Sequence, residues 1–282
     1  MDTKNERYER FFTRHPYIFV VAALIVLVLS AVVSTLIISF TGFSNLITAN
    51  NYFDSNLSFF ISEVVAIILL LAVAWKLEFF DQTFFSKRNL KIGALLSVPI
   101  LIIAVLWNIL PPVLYNNPSL FRIDIGLIVI AFLTTLAIGF AEEILFRGLI
   151  FRNFLRRYGM SKKGIYISII VSSVIFGLVH ASNAVSSSPD AIIQQIIYAT
   201  AMGIILALFY LITGNLLVPA LCHGLFDFTD YVIPGFYNIP YDAALTSDWV
   251  QNLIVSIVFV VIAVIIVKKI NVEDTDLVKQ LE

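Results

Sequence analysis

Ten residues, Gly139 to Gly148 (GFAEEILFRG), put two carboxylates and a guanidinium inside an apolar run long enough to cross a bilayer. A charge at bilayer depth costs about 2.5–3.5 kcal/mol on insertion scales. Glu142, Glu143 and Arg147 therefore mark a function or a specific pairing. Helical spacing accounts for part of the set, because Glu143 and Arg147 are four apart and can pair on one face. Glu142 is rotated by about 100° from Glu143 and gains no partner from its own turn. A carboxylate so placed fits a general base. Glu143, held by Arg147, fits a support that fixes the helix and its neighbour.

Three histidines occur in the chain. His15 lies in a basic N-terminal flank, before Pro16, and reads as interfacial. His180 ends Phe176-Gly-Leu-Val-His180, and His223 begins His223-Gly-Leu-Phe-Asp227. Each pair is four apart and shares a helical face. Taken singly, an intramembrane His is also read as a satisfied hydrogen bond between helices. Four such residues (Glu142, His180, His223 and Asp227) on three helices favour a site.

Two chemical routes are open to this set. In one, Glu142 is the general base and a nearby histidine binds the same water or shuttles its proton. A second histidine, oriented by Asp227, donates to the oxyanion. In the other, Glu142, His180 and His223 form a three-ligand zinc site with an open position. Both supply activated water and a stabilised tetrahedral intermediate, which is amide hydrolysis. HExxH, GxGD and Gly-x-Ser-x-Gly motifs are absent, and the acidic residues show no pair suited to an intramembrane aspartyl protease. Cys222 would need His180 as its base, since His223 points about 100° away. It reads more simply as a small core hydrophobe. Pro219, four residues before His223, predicts a kink that opens a pocket. Gly177 and Ala181, with Gly203 and Gly224, predict close helix approaches.

The elements that must position these residues follow from composition. Of 282 residues, 60% are hydrophobic and 13% charged, against about 25% charged in soluble domains. This is the composition of an all-α, multi-pass integral membrane protein of a cell membrane. A net charge of −1 argues against nucleic acid as a partner, and one cysteine excludes a disulfide framework or thiolate metal cluster within one chain. Apolar runs at about 17–40, 59–75, 92–110, 124–150, 165–181, 191–212, 215–233 and 249–267 predict about eight transmembrane helices. The first reads as an uncleaved span. Lys and Arg crowd the N-terminus, 76–91, 147–163 and the tail from Lys268, while 41–58, 182–190 and 234–248 contain none. The positive-inside rule then places both termini in the cytoplasm. Residues 1–282 read as one polytopic membrane domain. Asn50 to Ser58 and Asn183 to Asp190 read as external loops, and Asn271 to Glu282 as a short solvated end. For Glu142 to reach the depth of His180, the fourth helix must continue through Phe151 and Phe154 towards Arg156.

The three elements Glu142-Glu143-Ile-Leu-Phe-Arg147, Phe176-Gly-Leu-Val-His180 and His223-Gly-Leu-Phe-Asp227, in that order, resemble the CPBP family of intramembrane proteases. That family includes CAAX proteases, which trim prenylated proteins, and bacteriocin-processing or self-immunity proteins. The resemblance spans roughly 125–230 and implies a catalytic core there. It implies that Glu142 and His180 activate the water, that His223 and Asp227 stabilise the oxyanion, and that Glu143 and Arg147 support them. Asp227 stands where the better-described CAAX proteases carry Asn, bringing a negative charge beside His223. The family is commonly called metalloprotease, which makes a divalent metal such as zinc a candidate cofactor. The implied partners are membrane lipids and a peptide or lipid-anchored protein cleaved near the cytoplasmic face. Two other classes fit the same composition: a non-catalytic immunity or partner-binding membrane protein, and a proton-coupled transporter.

Overall fold

The computed structural model describes residues 4–41, 51–115, 118–185, 188–237 and 249–281. Among these residues the secondary structure is helical, apart from one isolated bridge between Phe121 and Tyr237. The helices are α1 (Lys4–Arg14), α2 (Pro16–Phe40), α3 (Tyr52–Lys76), α4 (Leu90–Ala104), α5 (Leu110–Tyr115), α6 (Ile125–Glu143) and α7 (Arg152–Tyr158). They continue as α8 (Lys162–Val179), α9 (Pro189–Thr213), α10 (Leu217–Tyr231), α11 (Ile233–Phe236), α12 (Trp249–Lys269) and α13 (Asp276–Leu281).

Seven helical stretches of the described residues are long and apolar enough to cross a membrane: Pro16–Phe40, Tyr52–Lys76, Leu90–Leu114, Ile125–Tyr158, Lys162–Asn183, Pro189–Thr213 and Asn252–Lys269. The eighth predicted span, 215–233, is only the 15-residue α10. It still runs between the two ends of the bundle. Its start is tied to the α3–α4 connection, where Asn215 Nδ2 donates to the Ser86 and Arg88 carbonyls. At its finish the Tyr52 hydroxyl donates to the Tyr231 carbonyl at the opposite end of α3. The N-terminal helix and the C-terminal tail share the end that carries the lysines and arginines. There Arg156 pairs with Glu9 at 2.7 Å, and the Lys162 N–H donates to Glu273 at 2.8 Å.

Three local expectations are corrected. Residues 52–58 belong to α3, because Asn51 accepts the Asp54 N–H and caps the helix there. A polar run that resembles a loop is in fact a cap and a first turn. In the predicted 182–190 loop, His180–Val185 is a 3-10 turn and Ser188 caps α9; 186–187, with 238–248 of the last loop, lie outside the described residues. The C-terminal segment is not a solvated end. Val272, Leu277 and Val278 are buried, and Arg88 pairs with Asp276 at 3.0 Å.

The fourth span matches the expected long helix and exceeds it. α6, the segment Ile144–Phe151 and α7 form one continuous helix to Tyr158. Gly159 ends it at φ 82°, a left-handed value that favours glycine. Ile144–Phe151 is wound as a π-helix with all eight residues buried. Such segments are rare and occur often at functional sites. Around it sits the core, with α9 as the central element: 67% of its apolar window is buried, against 22% for α2 at the periphery.

Candidate active site

Small residues let the site helices close. A Cβ on Gly139 would lie 2.6 Å from both the Ala220 carbonyl and the Gly224 nitrogen, so α6 and α10 touch backbone to backbone. A Cβ on Gly177 would meet Thr200 Oγ1 and the Ile196 carbonyl, which brings α8 onto α9. Ala181, the expected second half of that step, is exposed and takes no part. Pro219 is not a mid-helix kink either. It is the third residue of α10, where the backbone N–H groups have no intrahelical acceptor and proline costs little. Cys222 is a buried, free core residue.

The charged set assembles around His223. Arg147 Nη1 donates to Glu143 Oε1 at 2.6 Å, with the two side chains 1% and 0% exposed. Arg147 Nη2 donates to the Gly203 carbonyl at 3.0 Å, and the guanidinium lies 4.5 Å from the centre of the Phe176 ring. The same Glu143 oxygen meets His223 Nδ1 at 3.1 Å. A carboxylate only accepts, so Nδ1 carries the hydrogen. His223 Nε2 then faces Asp227 Oδ2 at 3.4 Å and Glu142 Oε2 at 3.8 Å. Glu143, rather than Asp227, orients the imidazole, because it is the group anchored from behind by Arg147.

The Phe176 ring touches both histidines. It stands edge-on to His180, centroids 5.1 Å apart, and to His223 at 5.7 Å. His180 caps α8, and its Nδ1 lies 2.9 Å from the Phe176 carbonyl. A carbonyl also only accepts, so the His180 hydrogen is on Nδ1 and Nε2 is left as an acceptor. Glu142 is partly open, 27% exposed, and its Oε2 has no hydrogen-bond partner. A carboxylate oxygen without a hydrogen-bond partner thus stands beside His223 Nε2.

The candidate zinc triad does not close. Among the described residues no group of three His, Cys, Asp or Glu side chains converges as metal ligands. Glu142 and His223 approach each other, while among the described residues no hydrogen bond or ion pair joins His180 to either. These residues do not fit a zinc ion in this arrangement.

Sequence reasoning overlooked several participants. The Gly203 carbonyl, a ligand of Arg147, carries no sequence signal. The π segment has none either. Glu63 of α3 was legible, as a lone acid within an apolar span. Asp230, one turn beyond Asp227, was legible in the same way.

Residues 124–229 match the family model described as Type II CAAX prenyl endopeptidase Rce1-like. The chain is a multi-pass membrane protein in which residues 124–229 are similar to that Rce1-like domain, consistent with the CPBP resemblance. No curated protein and no solved structure matches the chain significantly.

Proposed function

We propose that this chain is an endopeptidase of a cell membrane, with both termini in the cytoplasm, which cleaves a membrane-associated peptide or lipid-anchored protein. Glu142 takes a proton from water as its oxygen attacks the scissile carbonyl. His180, whose Nε2 accepts, holds that water or relays its proton. His223 acts as an imidazolium, with a hydrogen on each nitrogen, and donates from Nε2 to the developing oxyanion; donors preorganised in this way are worth about 2.7–4 kcal/mol each. Asp227 holds that N–H in the resting site and yields it when substrate arrives. Glu143, held by Arg147, accepts from Nδ1 and fixes the orientation of the ring. No step is routed through a metal.

The observation that carries this reading is the approach of Glu142 and His223, from separate helices, to 3.8 Å, with His223 locked from behind by Glu143. Purified protein in liposomes, incubated with membrane-anchored peptides of varied sequence and followed by mass spectrometry, tests it. A product that His180→Ala fails to release supports proteolysis. Binding without any cleavage overturns it.

A further inference from the structure

One carboxyl inside the apolar length of α3, Glu63, has no place in that mechanism. Its depth follows from a contact elsewhere. Thr134 Oγ1 of α6 donates to the Asn56 carbonyl of α3 at 3.0 Å, which sets the two helices in register. Both run in the same direction, from the end that holds Tyr231 to the end that holds Asp81. Glu63 lies seven residues beyond Asn56, about 10 Å, and Glu142 eight beyond Thr134, about 12 Å, at 1.5 Å per residue. The two carboxyls therefore arrive at one level. Seven residues fall only about 20° short of two turns, so Glu63 shares the Asn56 face that packs on α6. Glu63 and Glu142 interact electrostatically. Among the described residues Glu63 forms no hydrogen bond or ion pair. Nearby Arg147 is committed to Glu143, and His223 to Glu143 and Asp227.

We propose that Glu63 is the proton donor to the leaving nitrogen in the hydrolysis proposed above, on which this inference rests. In this role Glu63 carries the proton, and Glu142, at the same level, is the group that returns it. Water oxygen bonds to the carbonyl carbon while Glu142 takes one water proton. The C–N bond then breaks, its electron pair stays on nitrogen, and Glu63 gives that nitrogen its proton. The proton on Glu142 passes to Glu63, so the site resets and the net change is amide plus water to acid plus amine.

An aryl ester separates this role from a structural one, because a phenolate leaves without protonation. Purified Glu63→Gln and Glu63→Asp are compared with wild type on a peptide amide and on an aryl ester of the same acyl sequence. Glu63→Gln should lower kcat on the amide by about 10²–10⁴-fold and on the ester by only a few-fold, with Glu63→Asp recovering part of the amide rate. Equal losses on both substrates, or no loss on either, overturn the assignment. If Glu63→Gln does not fold, the amide-to-ester ratio of Glu63→Asp decides in the same way. Wild type inactive on both substrates overturns the protease reading itself, whereas active wild type beside unimpaired variants overturns only the role of Glu63.

Discussion

Replacing Arg147 by methionine fills most of its volume but removes the cation behind Glu143. Glu143 is fully buried, and its second oxygen has no partner to fall back on. Removing one member of a buried ion pair leaves an uncompensated charge, at a cost of about 3–5 kcal/mol. The Gly203 carbonyl loses its donor as well, and Phe176 loses a cation over its face. Against a total stability of about 5–15 kcal/mol this is a large share. Replacing both charges should be much milder. In Glu143→Gln/Arg147→Met the amide oxygen still accepts from His223 Nδ1, and the double variant should lie within about 2 kcal/mol of wild type. Denaturant unfolding in mixed micelles measures both. Arg147→Met within about 1 kcal/mol of wild type, or a double variant no more stable than the single, would refute this account of the pair.

Gly139→Ala forces a Cβ to within 2.6 Å of α10 backbone, so α6 and α10 must separate; melting should fall by an amount equivalent to about 1–3 kcal/mol, and hydrolysis should fall with it. At the basic end Asp81 pairs with buried Arg152. Burial pushes the Asp81 carboxyl up, but Arg152 and the Thr83 hydrogen bonds outweigh it and hold the carboxyl below its ordinary value. Its contribution is therefore complete above the unfolded value and is lost as pH falls through the folded one. Unfolding of wild type and Asp81→Asn, compared at pH 7 and near pH 3, should give a difference that shrinks in acid. Phe176→Leu keeps an apolar side chain but removes the ring that touches both histidines and Arg147; kcat should fall more than KM rises in steady-state assays with a cleaved peptide.

The long fourth helix and the Glu143–Arg147 pair were legible because each is a local consequence of helical spacing. The depth conflict between Glu142 and His180 also forced the extension past Arg147, which the structure contains. What lay beyond local spacing was not legible. Arg147 finds its second partner in a backbone carbonyl 56 residues away, and a carbonyl has no residue type to read. His223 takes Glu143 rather than its own-turn Asp227 as its Nδ1 partner, a choice set by the α6–α10 approach at Gly139 and Gly224. Asn51 and Asn271 misled for another reason. Each caps a helical segment, and polar capping residues look like loop until the following turn is seen.

The central claim is that an intramembrane glutamate on α6 activates the water that cuts a peptide bond. Once a cleaved peptide is in hand, single-turnover cleavage by purified Glu142→Gln beside wild type tests it, with thermal melting as a control for folding. Glu142→Gln should melt like wild type and cleave about 10²–10⁴-fold more slowly. A folded Glu142→Gln that cleaves at the wild-type rate would contradict the account.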